Sequence, residues 1–330
     1  MRKKKMLWLA VILVLAVLAW RYGLSAAGLV AGLLVVALAA LYAVQWLFAG
    51  MGMGKLRQLR AQYGLDVMAA ELIRREGDAD TFRFVVLGDT RNNVAVAREV
   101  YGRASGEQPA MLFHTGDIVR HGTPTELLRN HVALLDITDP APMFCVPGNH
   151  EQGARRDFAA FRALYGGDRF SFDYGGCRFT GFNNCTKGRG IVREDDLAWL
   201  DAELGKPGAA HKYVFMHIPP AYFEATFVSD THRRGFTRNA AAFHALMQKH
   251  AVDEVFMAHI HGYASTVMDG VRYTLTAGGG APLSGRLARE GQAYNYVVLR
   301  VSPGGVQRTV VRGFGDDWTR QDEGGTVPSQ

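Results

Sequence analysis

A chain of 330 residues with 48% hydrophobic content can bury a sizeable core in one large domain or two modest ones, which excludes a disordered protein. Its formal charge of +6 is unevenly held: residues 1–75 carry ten Lys or Arg against two acids, Asp66 and Glu71, while the remaining 27 bases and 29 acids leave the rest at minus two. The basicity belongs to the N-terminal segment, so a membrane surface is the better partner than a phosphate backbone and no nucleic-acid partner is expected. Cys145, Cys177 and Cys185 fit neither a disulfide framework nor a CxxC metal spacing and read as small buried hydrophobes.

Arg2-Lys3-Lys4-Lys5 precedes an uncharged run from Met6 to Trp20, and a second run from Tyr22 to Gly54 follows the lone Arg21. About 20 apolar residues cross a bilayer, so residues 24–48 form a predicted span. Residues 6–20 form a shorter one, reaching only about 22 Å at 1.5 Å per residue. A signal peptide competes for this first run, but Arg21-Tyr22-Gly23 offers no small-x-small cleavage site. Basic residues before the pair and at Lys55, Arg57 and Arg60 after it favour two crossings with both termini cytoplasmic. Residues 1–54 are therefore expected to form a transmembrane helical hairpin that anchors the chain to the lipid bilayer of a bacterial-type inner membrane. A single crossing would place the rest in the periplasm or outside. Helical spacing of Leu56, Leu59, Tyr63, Val67 and Ala70 predicts a juxtamembrane helix over residues 55–76.

Gly77-Asp78-Ala79-Asp80 opens a domain predicted over residues 77–312. Its early strands are Phe82 to Leu87, Met111 to His114, Met143 to Val146, Arg169 to Tyr174, Arg178 to Phe182, Lys212 to Met216 and Glu254 to Ala258. Later come Ser265 to Met268, Val271 to Thr276, Tyr294 to Val301 and Val306 to Arg312. Helices fit Val94 to Tyr101, Pro124 to Leu135, Ala154 to Leu164, Glu194 to Leu204 and Asn239 to His250. Helix-linked strands early and hairpins late predict an α/β fold with two mixed sheets packed together and helices outside. Residues 313–330, rich in Gly, Asp and Thr, read as a flexible tail.

Five of these strands end in ligand chemistry: Gly88-Asp89-Thr90-Arg91, Thr115-Gly116-Asp117, Gly148-Asn149-His150-Glu151, His217-Ile218-Pro219 and His259-Ile260-His261. Ligands in open α/β sheets bind at the carboxyl ends of strands. Asp89, Asp117, Asn149, His217, His259 and His261 are hard and borderline ligands suited to Mn, Fe or Zn, and six groups exceed one four-coordinate structural zinc. The set reads as a dinuclear site. Taken singly, each has a plainer reading as a turn or a core residue.

The order and spacing of these motifs across roughly residues 82–283 resemble the calcineurin-like metallophosphoesterase superfamily, its purple acid phosphatase and cyclic nucleotide phosphodiesterase branch included. The resemblance implies a four-layer αββα sandwich and two divalent or trivalent transition-metal ions. Asp117 would bridge them, Asp89 and His261 would complete the first site, and Asn149, His217 and His259 the second. His150 would steady the substrate phosphate and assist the leaving oxygen. The activity implied is hydrolysis of a phosphomonoester or phosphodiester through a metal-bound hydroxide.

The sequence departs from the family where Arg91 replaces the His of Asp-x-His, because a guanidinium cannot ligate a metal. Asn92, Asn93 or water would have to fill in, and Arg91 is either a phosphate clamp or a structural ion-pair partner. The competing expectation is a catalytically weak binding protein with incomplete metal occupancy. His114 and His121 flank Asp117, Gly278-Gly279-Gly280 can admit substrate to the backbone, and Arg189 and Arg193 can meet an acidic group, each against a plainer structural reading. His131, His211, His232, His244 and His250 read as structural or surface residues.

Overall fold

The structure, a computed structural model, describes residues 17, 21, 23, 26–76, 79–186, 189–228 and 235–323. Two compact units divide at residue 51, the first Met1–Met51 and the second Gly52–Gln330. The predicted first span lies outside the described residues except for Val17. From Ala26 onward the second apolar run lies in helix α1 (Ala26–Tyr63), which continues without a break through the expected boundary at residue 54. Among the described residues no helix is long and apolar enough to cross a membrane, so the predicted transmembrane hairpin is not supported. The side chains of residues 42–49 are not among those described. The expected juxtamembrane helix is divided between the end of α1 and α2 (Leu65–Glu76), and the break falls at Gly64.

In the second unit, β1 (Phe82–Leu87), β2 (Met111–His114) and β3 (Met143–Cys145) run parallel, with Phe84 opposite Met111 and Leu112 opposite Met143. Parallel strands need crossovers, supplied here by α3 (Val94–Gly106) and by α4 (Pro124–Leu127), which passes through a π turn into α5 (Ala133–Leu135). Thr123 caps α4 with a capping box to Glu126. After β3, a 3-10 turn at Asn149–Gln152 leads to α6 (Ala159–Tyr165). The expected helix from Ala154 therefore starts five residues late, beyond the left-handed Arg156 and Phe158.

The chain then forms β4 (Arg169–Tyr174), β5 (Cys177–Phe182), a small hairpin of β6 (Cys185–Thr186) with β7 (Arg189–Gly190), and α7 (Glu194–Leu204). It continues through β8 (His211–Phe215), α8 (Ala221–Glu224), α9 (Ala240–Lys249) and β9 (Glu254–Met257). Last come β10 (Tyr263–Met268), β11 (Val271–Thr276), β12 (Asn295–Ser302), β13 (Gly305–Arg312) and β14 (Thr319–Asp322). Among the described residues one six-stranded sheet has the order β14-β13-β12-β1-β2-β3 and the other β10-β11-β9-β8-β5-β4. Strand β14 lies within the stretch read as a flexible tail: Thr319 pairs with Arg312 and Asp322 with Thr309 at the sheet edge.

The sheets meet through aromatic side chains. Phe113 of the first stacks on Phe215 of the second at 4.1 Å, and Phe84 meets Phe179 edge-on at 5.1 Å and Tyr213 at 4.9 Å. Such rings bury large apolar areas and add about 0.5–1.5 kcal/mol per pair through their geometry. Outside one sheet, α3 buries Val96, Ala97, Val100, Tyr101 and Ala104. Outside the other, Leu200, Leu204, Phe243 and Met247 of α7 and α9 join a core with Val214, Met216, Val255 and Met257. Helices, sheet, sheet and helices make four layers. The carboxyl ends of β1, β2, β3, β8 and β9 supply the loops described next.

Candidate metal centre

Three of the five loops, those after β1, β2 and β9, leave their strands through backbone that few residues adopt. Asp89, Arg91, Asn92, Asp117 and His259 all have φ between 41° and 77°, the left-handed region. Non-glycine residues there cost of order 1–3 kcal/mol and persist where surrounding contacts over-determine them. Those contacts are present: the Asp89 N–H donates to Gly116 O at 3.0 Å and the Arg91 N–H to Asp117 O at 3.0 Å. Glycines permit the close approach of the loops. A Cβ on Gly116 would stand 2.5 Å from Gly148 N, and one on Gly148 would stand 2.2 Å from Asp117 Oδ1.

Two groups of ligand atoms converge, Asp117 with His217 and His259, and Asp89 with Asp117 and His261. Asp117 belongs to both. His217 donates from Nδ1 to Thr115 O at 2.9 Å, which leaves Nε2 directed at Asn149 Oδ1, 3.2 Å away, and Asp117 Oδ1, 3.3 Å away. His261 is fixed in the same way by Pro282 O at 2.7 Å, and its Nε2 lies 3.4 Å from Asp89 Oδ1. Backbone carbonyls thus orient both imidazoles, as in metal sites generally. Asp89 Oδ2 accepts the His259 N–H at 2.9 Å, while its buried Oδ1 has no hydrogen-bond partner. A buried carboxylate oxygen without a donor calls for a cation or a proton.

The charges agree with that demand. Burial would raise the Asp117 carboxyl, but His217 beside it, with His150 and His259, holds it well below the carboxylate range. Asp89 moves upward, through burial and then through Asp117. Burial lowers His217, but Asp117 and Asp89 lift it to about 9, whereas burial and His217 push His259 down to about 3. With only the protein's own charges, the centre cannot keep both carboxylates ionised and its histidines neutral. The donor set fits a transition-metal cation.

His150 and Arg91 meet at the rim of the centre. His150 donates from Nδ1 to Arg120 O at 2.6 Å, and its Nε2 accepts from Arg91 Nη2. Burial lowers its pKa, opposed by Asp117. A guanidinium can only donate, so His150 Nε2 is the acceptor of this pair. Arg91 also reaches His261 Nε2 with Nη1 at 3.0 Å, and its Nε lies 3.8 Å from Asp117 Oδ2. Its hydrogen-bond partners are two imidazoles, with the Asp117 carboxylate as its ion-pair partner. Asn92 donates to Glu126 Oε1 at 2.6 Å and Asn93 to Gly280 O at 2.8 Å.

Two positioning residues were missed by sequence reasoning. Glu151, fully buried, accepts the Asp117 N–H at 2.9 Å, the Gly148 N–H at 2.7 Å and the Val119 N–H at 3.0 Å, tying the second loop to the third. Asn184 accepts the His217 and Ile218 N–H groups on Oδ1 at 3.2 and 3.0 Å. Glu151 sits within a motif loop, whereas Asn184 follows the end of β5, outside the five motif loops. His114 takes the Gly116 N–H at 3.2 Å and braces the loop from behind, whereas His121 pairs with Glu126 at the surface. The centre opens into a cleft of about 900 Å³ lined in part by Arg91, Arg189, Arg238 and Arg286, with Ile191, Ile218 and Phe236. Arg193 binds Asp196 instead.

The sequence profile of the calcineurin-like phosphoesterase family matches residues 82–263. Among curated proteins, the chain is similar to a probable glycerophosphodiester phosphodiesterase of Arcobacter nitrofigilis, 30% identical over 122 residues, covering 34% of this chain and 43% of that protein. It is also similar to a probable cyclic nucleotide phosphodiesterase of Synechococcus sp., 28% identical over 134 residues, covering 39% and 50% respectively. The chain thus spans about half the length, or less, of these relatives. Purple acid phosphatase from yellow lupin seeds shares the fold, with a TM-score of 0.59 at 15% identity over 74% of this chain and 54% of that one. With the family profile spanning more than half its length and covering all five strand-end motifs, the chain belongs to the calcineurin-like phosphoesterase family.

Proposed function

We propose that the chain is a metal-dependent hydrolase of phosphoric ester bonds, acting on a phosphodiester or a phosphomonoester. The observation that carries this reading is the placement of Asp117 between two ligand sets at the floor of an arginine-lined cleft. Asp117, Asn149, His217 and His259 would hold one cation, and Asp89, Asp117 and His261 form the set for another. A transition-metal ion there supplies charge neutralisation and activation of water.

The chain's own residues do the rest. Arg189, Arg238 and Arg286 give the cleft a positive wall that attracts and orients an anionic ester. Ile191, Ile218 and Phe236 cover an apolar portion of the substrate. His150, with Nδ1 committed to Arg120 O, has Nε2 as the atom at which a proton is held or passed beside the leaving oxygen. The names of the two curated relatives favour a diester. The engagement of Arg91 with both His150 and His261 favours, as a second reading, a catalytically weak binding protein.

Turnover of an aryl phosphodiester and an aryl phosphomonoester by the metal-stripped full chain, with and without added Mn, tests the proposal. Mn-dependent hydrolysis that falls about a thousandfold in Asp117→Asn, with the variant still folded, is expected. Equal rates with and without metal would refute it.

For the N-terminal segment we propose attachment to a bilayer with the catalytic unit on the cytoplasmic face. The support is the basic and apolar sequence, and the exposure of Val30, Leu34, Val35, Val36, Leu38 and Leu41 along α1. Exposed apolar surface on that scale marks an interaction site. A compartment-sensitive reporter fused at Gln330 should report the cytoplasm in the membrane fraction; an exported signal, or recovery without membranes, overturns it.

A further inference from the structure

We infer that Arg91 supplies the positive charge of the first ligand set itself, so that the chain holds one transition-metal ion, in the Asp117, Asn149, His217 and His259 set. This rests on the metal-dependent reading above and concerns how that centre is filled.

The first set has three side chains, Asp89, Asp117 and His261, and Arg91 contacts or approaches two of them. His261 has already given Nδ1 to Pro282 O, so Nε2 is its remaining donor of a lone pair. That lone pair accepts Arg91 Nη1 at 3.0 Å. One imidazole nitrogen has one lone pair and cannot accept a guanidinium proton and bind a cation together. A metal ion at His261 would also face a guanidinium that cannot shed its charge. The other arm of the fork, Nη2, holds His150 Nε2, and Nε lies 3.8 Å from Asp117 Oδ2.

Arg91 is anchored where it stands. Its left-handed backbone is held by the N–H bond to Asp117 O, so the side chain starts from the rim of the centre. Among the described residues neither asparagine beside Arg91 replaces the missing ligand at the cleft: Asn93 donates to Gly280 O, and Asn92, whose Nδ2 donates to Glu126 and whose buried Oδ1 has no donor, does not line the cleft.

The second set is built differently. Asn149 Oδ1 and Asp117 Oδ1 lie 3.2 and 3.3 Å from His217 Nε2, and the contacts that Arg91 makes fall on His150, His261 and the other oxygen of Asp117. The feature that still asks for a second cation is Asp89 Oδ1, buried without a donor. A direct count of bound metal weighs it against Arg91.

The full chain, stripped of metal, is loaded with excess Mn(II), freed of unbound metal by gel filtration, and measured for Mn per chain and by electron paramagnetic resonance. Wild type is expected to carry one Mn with the spectrum of an isolated ion. Arg91→His, which restores a nitrogen ligand and removes the charge, should carry two with a spin-coupled spectrum. Arg91→Gln, which removes the charge alone, should bind a second Mn more weakly than Arg91→His. Two tightly bound ions in wild type would overturn the inference and leave the metal-dependent reading intact. A single ion in folded Arg91→His would also overturn it. No bound ion and no Mn-dependent turnover in wild type would remove both. The wild-type count decides the matter even if a variant fails to fold.

Discussion

Two clusters of buried charge lie in this fold, and they are satisfied to different degrees. Away from the cleft, Arg308 of β13 reaches across to the other sheet. Its Nε lies 3.1 Å from Glu254 Oε1, Nη1 donates to Glu323 Oε2 at 2.6 Å and to the Tyr263 hydroxyl at 3.1 Å, and Nη2 donates to Thr274 Oγ1 at 3.0 Å. Tyr263 in turn donates to Glu323 at 2.7 Å. The metal centre holds two buried acids, five left-handed residues and a carboxylate oxygen with no donor. The first cluster is complete within the chain and joins the sheets. The second is incomplete: its strained loops bring Asp117, Asn149, His217 and His259 together as a set that fits a cation arriving from outside, and Asp89 Oδ1 is left without a donor. Buried charge thus marks function where it is left unpaired and architecture where it is paired.

The strongest test of that contrast removes a partner from the complete cluster. Arg308→Ala leaves Glu254 buried and unpaired and is expected to cost about 3–5 kcal/mol in urea unfolding. A loss below about 1 kcal/mol would show that the network is not a fastener between sheets. The milder test neutralises the incomplete cluster. Asp89→Asn keeps an acceptor for the His259 N–H and removes the charge on a buried oxygen that has no donor. Metal-free stability should therefore hold or rise by up to about 1 kcal/mol, while Mn-dependent turnover falls. A clear loss of metal-free stability would mean that Asp89 serves the fold.

Much of this arrangement was legible because apolar runs end in residues that punctuate strands. Phe82 to Leu87, Met111 to His114 and Arg169 to Tyr174 were read with the boundaries the structure gives. Gly88-Asp89 and Gly116-Asp117 mark where the first two stop, and Gly175-Gly176 where the third does. The hairpin of β6 and β7 was not legible, since two-residue strands have no periodicity and depend on what surrounds them. Nor was β14, whose Thr319-Arg320-Gln321-Asp322 is polar and exposed and owes its form to pairing with β13. Glu151 stood in view as a motif residue, but its hold on the Asp117 and Gly148 amides is a matter of three dimensions. The replacement of a histidine by Arg91 was visible as a missing ligand. Its grip on His150 and His261 depends on loops 59 and 170 residues away in sequence.

The pairing of β1 with β12, Phe82 opposite Val301 and Val86 opposite Val297, has a consequence in time. As the chain is synthesised from its N-terminus, β1, β2 and β3 emerge first, and with them Asp89, Asp117 and Asn149. The edge of β1 that β12 will cover stays open until more than 200 further residues have been made. Long-range pairing of this kind folds slowly and leaves an unpaired edge exposed meanwhile. The strand that carries Asp89 can be locked in place only once β12 has been made, so the metal centre matures late, although three of its six ligands are made early.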